Sequence, residues 1–377
     1  MRLADELEQI EALIHRYVEL SDSALAMLIA VWIANTYTFE CFDYCGYLHI
    51  QSATPGCGKT TLLKVLRHLA TGKPPILTAP TAAVVFRTQK DVKVLFIDEA
   101  ERLRDHDKEN FGTLLAVLNA GIEKDGQVIR LKKNRRDDYD PRAFPVFGPK
   151  GLAGLEDLAA TLESRCFHVQ MQRAVTRVDR FRSRKVEQAA KPIRDHLKQW
   201  ATGQRESLKA VYDKIVQTER SIPELKGYDD RLQDLAEPLM VLASVADAER
   251  PEGPLIAPRL IEGIKAASGD RSPTGKERDI VAFLHGARLL LDGQDRAFVT
   301  ARDLLTTCQE TPGLSGLEDA QSLAVFLKLF GLASRSNGTC RGYELRREWV
   351  DDLSKRYSPR AETPRTPDTS DGSTGGI

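Results

Sequence analysis

Lys59 and Thr60, at the end of Ala53-Thr54-Pro55-Gly56-Cys57-Gly58-Lys59-Thr60, are the residues in this chain whose types and spacing point most directly to chemistry. Gly56 and Gly58 let backbone N–H groups turn onto an anion, and a helix starting behind them adds partial positive charge. A lysine at this position reaches the β and γ phosphates of a nucleoside triphosphate, and the threonine hydroxyl faces Mg2+. The spacing fits G-x-x-x-x-G-K-[ST] at every fixed position but the first, where Ala53 replaces glycine. Pro55, Gly56, Cys57, Gly58, Lys59, Thr60 and Thr61 are therefore the expected contacts to ATP. A Gly-rich turn arising by chance would explain the octet alone. It would not explain the apolar run Tyr47-Leu48-His49-Ile50 before it and the helical pattern from Thr61 after it.

One helix and one strand later, Val94-Leu95-Phe96-Ile97 ends in Asp98-Glu99. This reads as the partner strand of a parallel sheet, with its acids at the C-terminal edge where the phosphate loop also sits. Asp98 is the expected Mg2+ ligand, with Thr60, and Glu99 the residue that orients the attacking water, as phosphoryl transfer to water requires. A surface strand ending in solvated acids is the bland alternative.

The elements that must hold these residues follow a strand–helix alternation. A helix over 60–70, a short strand at 76–78, a helical turn from Thr81, the acid strand and a helix over 110–120 imply an α/β fold, a P-loop NTPase parallel sheet sandwiched by helices. Ahead of it, 1–20 has helical spacing, and 24–37 is apolar nearly all round, so it is expected buried with Trp32 in the core. Ala143–Phe147 reads as a fourth strand, and Lys150 just beyond it is the nearest candidate to sense a γ-phosphate.

Between these lies a change of character. Asp125-Gly126 stands in a hairpin-turn position, with alternating residues beyond it. From Glu123 to Arg136 there are six basic residues against two acidic ones. Lys124, Arg130, Lys132, Lys133, Arg135 and Arg136 are candidate contacts to a nucleic-acid backbone. A solvated charged hairpin stays open as the alternative, because no aromatic residue is interleaved for stacking.

Composition sets limits on the rest. Hydrophobic residues make up 42% and charged residues 29%, and 54 basic side chains balance 54 acidic ones, so any nucleic-acid site must be a local patch. The six cysteines form no C-x-x-C pair, which argues against zinc and fits a reducing compartment. The longest apolar run, 24–34, is too short to span a bilayer, and the N-terminus is acidic and helical. A soluble, cytoplasmic protein is the expectation.

Ser164-Arg165-Cys166 resembles the triplet that AAA+ clamp-loader subunits carry after the fourth strand. The resemblance implies that Arg165 completes a neighbouring subunit's ATP site as an arginine finger, which requires a homo-oligomer such as a hexamer. The plainer alternative is an arginine at a helix C-terminus. Helices over 186–202, 205–220, 229–248 and 258–267 read as a lid, with Arg231 and Arg259 as candidate nucleotide-sensing arginines. Past linker-like 269–275, helices at 276–291, 300–309 and 317–330 and a β-hairpin read as a winged-helix module. Its third helix is poor in base-reading arginine, so DNA contact and protein contact stay open. The expected domains are a P-loop core over 1–172, a helical lid over 173–269, a winged helix over 276–357 and a disordered tail over 358–377.

The whole ordering resembles a family of uncharacterised P-loop proteins of phages and mobile elements, often fused to primase or helicase modules. Val31-Trp32-Ile33-Ala34-Asn35-Thr36, Leu118-Asn119-Ala120-Gly121, Phe147-Gly148-Pro149-Lys150, Tyr228-Asp229-Asp230-Arg231 with Glu237-Pro238-Leu239, and Arg341-Gly342-Tyr343 carry it. The resemblance implies ATPase chemistry with ATP and Mg2+ more firmly than any substrate, and coupling to DNA or RNA translocation or unwinding is the leading expectation. A nucleotide-gated switch or adaptor acting on a protein partner is the alternative. A small-molecule kinase fits less well, since Glu99 and an arginine finger suit water rather than an alcohol acceptor.

Overall fold

In a computed structural model of the protein, the described residues are 2–357 apart from 53, 106–107, 134–138, 176–177, 219–221, 226–227, 251, 270–274, 310–318, 331, 333, 337 and 339. The chain forms two compact units, Met1–Arg271 and Ser272–Ile377.

The strands of the first unit are β1 (Tyr47–Gln51), β2 (Ile76–Thr78), β3 (Leu95–Asp98), β4 (Gln127–Lys133), β5 (Tyr139–Pro145), β6 (Lys150–Gly154) and β7 (Cys166–Gln170). Five of them make an all-parallel sheet in the order β2-β3-β6-β1-β7, and β4 and β5 pair apart from it as an antiparallel hairpin. Its helices are α1 (Leu3–Tyr17), α2 (Leu25–Asn35), α3 (Lys59–Leu69), α4 (Ala82–Asp91), α5 (Lys108–Ala120), α6 (Ala160–Glu163), α7 (Ser183–Thr218), α8 (Asp230–Glu249) and α9 (Ile256–Gly269). Parallel strands need crossovers, and the crossovers cover the sheet, so β1 and β3 are buried at every residue but the last. α2 is buried at every position, and the Trp32 indole N–H inside it donates to Gly46 O at 2.8 Å. Among the described residues, no helix is long and apolar enough to cross a membrane.

Several expectations change here. Residues 143–147 do not enter the sheet: 143–145 close the hairpin, and the fourth sheet strand is Lys150-Gly151-Leu152-Ala153-Gly154. Its two glycines and one alanine give it little β propensity, but every residue of it is buried, as a central strand between β3 and β1 must be. β3 is consequently not the neighbour of β1; β6 lies between them. Asp125-Gly126 is the entry turn from α5 into β4, with Gly126 N–H donating to Glu123 O, and the β4–β5 connection falls at 134–138, outside the described residues. The two helices expected over 186–220 are the single α7, which runs through Gly203, a glycine with open space around it. One exposed glycine costs a helix only about 1 kcal/mol.

α7, α8 and α9 pack on α1, α2 and α3 within the same unit. Glu187 of α7 anchors one such contact, accepting from His68 Nδ1 at 2.7 Å, Arg194 Nη2 at 2.9 Å and Lys73 Nζ at 2.5 Å. Burial pushes its carboxyl pKa up, but the hydrogen bonds from Arg194, Lys73 and His68 outweigh that and bring it to about 2. A depressed carboxyl pKa stabilises the fold above its unfolded value and loses that contribution as pH falls toward the folded one. Glu187→Gln is therefore expected to cost roughly 2 kcal/mol at pH 7 and almost nothing near pH 2, measured by urea unfolding at the two pH values.

The second unit contains α10 (Gly275–Leu291), β8 (Arg296–Thr300), α11 (Ala301–Gln309), α12 (Ala320–Leu329), β9 (Arg335–Ser336), β10 (Arg341–Arg346) and α13 (Arg347–Tyr357). The strands form an antiparallel sheet in the order β8-β10-β9 over a core that includes Phe283, Leu304, Leu323, Leu327, Tyr343 and Val350. β8 and α13 join the three helices and hairpin read from sequence. α12 starts on a capping box in which Asp319 Oδ1 accepts from the backbone N–H groups of Gln321 and Ser322. Residues 358–377 lie outside the described residues.

Candidate nucleotide site

β1 leads through the glycine loop into α3. Gly56 (φ 84°) and Gly58 (φ 93°) both adopt the left-handed backbone that glycine allows without strain. A Cβ on Gly58 would also lie 3.4 Å from Val18 Cγ1 and 3.5 Å from Met171 Cε, so the loop is flanked by an apolar wall the sequence did not reveal. Pro55 and Gly56 are exposed, and Thr61 is half-buried in the first turn of α3. The Cys57 thiol donates to Thr54 O at 3.2 Å, and its hydrogen bond with the Thr54 side chain draws its pKa down. Ala53 lies outside the described residues.

Lys59 Nζ donates to the buried Ser52 hydroxyl at 2.6 Å. Among the described residues, no carboxylate lies within ion-pair distance of it. Thr60 Oγ1 donates to Asp98 Oδ2 at 2.8 Å. Two strand spacings, about 9.6 Å, separate β1 from β3, and the first turn of α3 carries Thr60 across β6 to close that gap. Asp98 Oδ1 in turn accepts the backbone N–H of Glu99 at 3.1 Å, so both carboxylate oxygens are engaged. Glu99 itself is left-handed at φ 56°, which costs a non-glycine residue about 1 kcal/mol or more, and its carboxylate pairs with Arg102 at 3.1 Å. Glu101 holds the C-terminal tip of the sheet, accepting Leu155 N–H at 3.1 Å. Ser52, Arg102 and Glu101 were not picked out from sequence, although each adjoins a motif that was.

Behind the loop, His49 of β1 and His168 of β7 stand in register with their Nδ1 atoms 3.3 Å apart. Burial, and then the second ring, drive the His49 pKa to about 3, so His49 is a neutral imidazole within hydrogen-bond reach of the second ring.

Other expected site residues are placed elsewhere. Lys150 sits at the N-terminal end of β6, level with Leu95 and about 10 Å along the strands from Asp98, and is fully buried. Its Nζ donates to Val146 O at 2.8 Å and Gly148 O at 3.0 Å and lies 4.8 Å from the Tyr47 ring centroid. It therefore does not sense a γ-phosphate in this arrangement; it fastens the base of the hairpin. Arg165 is also at that far edge: its carbonyl accepts Tyr47 N–H at 3.0 Å, Nε donates to Asn119 O at 3.1 Å, and Nη1 donates to Thr161 O. It does not join its own chain's loop. Arg231 lies 3.9 Å from Glu123, and Arg259 is held by Glu11 at 2.5 Å and Glu8 at 3.6 Å, so neither of these candidate arginines reaches the loop.

On the hairpin side, Lys124 pairs with Asp43 at 3.4 Å and the Arg130 guanidinium lies 5.9 Å from the Phe86 ring centroid. Lys132 and Lys133 are the last two positions of β4, while Arg135 and Arg136 lie outside the described residues. Ile129 and Leu131 are 59% and 68% exposed on the same strand.

These donors fit a nucleoside triphosphate with Mg2+. The glycines open the loop, an ammonium waits on a neutral hydroxyl, and a hydroxyl–carboxylate pair stands where a hard cation takes oxygen ligands. The class so defined is an α/β protein with a P-loop-like fold. Residues 168–357, half the chain, match the family described as Protein of unknown function (DUF3631), and the chain belongs to that family. The match begins inside β7, so the loop and the two acids lie outside it.

Among solved structures, the chain is similar to SCCmec type IV Cch, described as an active helicase, with TM-score 0.47 and 12% identity over 92% of this chain and 71% of that one. It is also similar to the A form apo structure of the NrS-1 C terminal region, with TM-score 0.40 and 9% identity over 91% of this chain and 74% of that one. No curated protein matches the chain.

Proposed function

We propose that this protein is a Mg2+-dependent ATP hydrolase of the AAA+ type that moves or opens DNA or RNA for a mobile element. The observation that carries the reading is the Thr60–Asp98 hydrogen bond, which brings the end of the glycine loop and the first of the two acids to one point across an intervening strand. Bound Mg2+ would neutralise charge on the β and γ phosphates, with Thr60 and Asp98 as its protein ligands. Glu99 would orient water, and Lys59 would hold phosphate.

Arg165 lies at the end of the strands away from its own loop, so an arginine-finger role for it would be on a neighbouring copy, and the reading includes a homo-oligomer. α7 to α9 act as the lid. The second unit, in the order α10-β8-α11-α12-β9-β10-α13, is read as a winged-helix module. The basic β4–β5 hairpin is the nucleic-acid contact.

A second reading, a nucleotide-gated switch that remodels a protein partner, is favoured by exposed Ile129 and Leu131, which suit an apolar partner better than phosphate. ATPase rates with and without single-stranded DNA separate the two. The motor is expected to speed up several-fold with a steep salt dependence; a rate blind to DNA supports the switch. Mass determination with a non-hydrolysable ATP analogue tests assembly in the same samples. Absence of Mg2+-dependent ATP hydrolysis in every sample overturns both readings.

A further inference from the structure

The second unit presents an outward sheet face that no motif explains. Strand side chains alternate, and Val299, Tyr343 and Leu345 are buried in the core. Arg296, Phe298 and Thr300 of β8 and Gly342, Glu344 and Arg346 of β10 therefore share the opposite face, in the register Arg296↔Arg346, Phe298↔Glu344 and Thr300↔Gly342. Arg335 of β9 joins them beside Gly342. Three guanidinium groups converge on one carboxylate: Glu344 lies 3.9 Å from Arg296, 3.7 Å from Arg335 and 3.4 Å from Arg346. One negative charge cannot neutralise three positive ones, and the arginine side chains are 69%, 70% and 51% exposed. Each keeps N–H donors facing solvent.

Among these charges lies one aromatic ring. Phe298 is partly exposed, and its ring edge rests over Gly342, where a Cβ would come within 2.8 Å of Cε1. Glycine at 342 therefore seats the ring and adds no side chain above it. An aromatic surface flanked by guanidinium forks suits a ligand made of flat bases and phosphates: arginine pairs with phosphate in a bidentate manner, and an exposed ring stacks on any base. A flat three-stranded face does not fit the major groove of duplex DNA, which admits a helix or a two-stranded ribbon. A single strand, with bases splayed, lies across it. α12 is a poorer reader, because its exposed start carries Asp319 and Gln321 and its only exposed cation is Lys328.

We infer that the outward β8–β10–β9 face binds single-stranded nucleic acid, with Phe298 stacking on a base and Arg296, Arg335 and Arg346 holding phosphates. The inference rests on the nucleic-acid reading above for its partner class, and uses none of the hairpin's residues.

The test is fluorescence anisotropy of a labelled twenty-nucleotide thymidine oligomer with the full chain across a salt series. Arg296→Gln/Arg335→Gln/Arg346→Gln is expected to weaken binding at least 10-fold and to flatten the salt slope by about 2, since each phosphate contact on a single strand contributes about 0.7. Phe298→Leu is expected to weaken it roughly 5- to 100-fold with the salt slope unchanged, because stacking carries no counterion release. DNA-independent ATPase stays at wild-type level in both variants. Wild-type binding in both, alongside loss of binding in Lys132→Gln/Lys133→Gln, overturns the inference and leaves the motor reading standing. No binding by the wild type overturns both. Weakening in the arginine variant but not in Phe298→Leu overturns the stacking role of Phe298, and a labelled acidic peptide that binds the wild type more tightly than the oligomer overturns the choice of nucleic acid.

Discussion

Glu99→Gln is expected to bind ATP as the wild type does and to turn it over 10²- to 10³-fold more slowly, whereas Lys59→Ala is expected to lose nucleotide binding itself. The two outcomes separate because the side chains occupy different stages of the reaction. Lys59 faces the loop with only a neutral hydroxyl for company, so its charge is available to phosphate in the ground state and its loss is felt on binding. Glu99 stands one residue beyond Asp98, in a left-handed conformation that turns its carboxylate away from the strand direction. Glutamine keeps the shape and loses the negative charge that polarises water, an effect of the size expected when one preorganised transition-state group is removed. Because the amide retains a hydrogen-bond acceptor, the Arg102 contact persists and the strand end stays in place. Titration with a fluorescent ATP analogue and steady-state phosphate release read the two steps separately. Equal turnover in Glu99→Gln and wild type would remove Glu99 from the role. Arg102→Ala serves as a control and is expected to change turnover by only a few-fold, since an exposed ion pair at this spacing contributes little.

Local chemistry was legible in the chain, and strand order was not. The loop and the acid pair are each contiguous, so spacing and residue type name them without knowledge of what lies between. Which strand separates them depends on β6, whose Lys-Gly-Leu-Ala-Gly gives almost no strand signal because a strand between two others can be small and still be buried. Missing β6 moved Lys150 from the beginning of a strand to the end of one, and so from the far edge of the sheet to the phosphate side. Arg165 shows a different limit. Its triplet fixes a place in the chain order, but the partners that satisfy it, the carbonyls of Asn119 and Thr161, come from a helix distant in sequence and from its own preceding turn. The outward sheet face of the second unit escaped for the same reason: Arg296, Phe298, Arg335 and Arg346 come together only once β8 is recognised as a strand.

Lys150→Met is expected to give the largest loss of stability, and a loss that grows with pH. The Lys150 amino group is the knot at the base of the hairpin. It bonds the carbonyls of Val146 and Gly148, while Val146 N–H donates to Gly126 O and Gly148 N–H donates to Gly121 O. Methionine fills the space and donates nothing. Val146 O keeps its bond from Gln89 Nε2 at 2.7 Å, but Gly148 O loses the lysine donor, and each buried group so abandoned costs about 1–3 kcal/mol. Burial pulls the folded Lys150 pKa from 10.5 down to about 7. Between those values the unfolded chain holds a proton that the folded chain has released, so wild-type stability climbs as pH rises through that window. Below about pH 7 both states hold the proton, and the cost of burying the charge is carried in full. The variant has no such proton, so the gap between wild type and Lys150→Met widens from pH 6 to pH 9, by about 2–3 kcal/mol at most given about 1.4 kcal/mol per pKa unit over the roughly two units above the folded pKa. Urea unfolding at the two pH values measures it. A gap that stays constant would refute the depressed pKa, and a gap under about 1 kcal/mol at both would refute the anchoring role. Gly121→Ala tests the same knot from the other side, because its Cβ would fall 2.4 Å from Val146 O and 2.6 Å from both Lys150 Nζ and Tyr47 Oη. β6 runs between the loop strand and the acid strand, and Lys150 ties its first residue to the hairpin base. If the hairpin grips nucleic acid, loosening this tie should lower DNA stimulation of the ATPase while leaving the basal rate near that of the wild type.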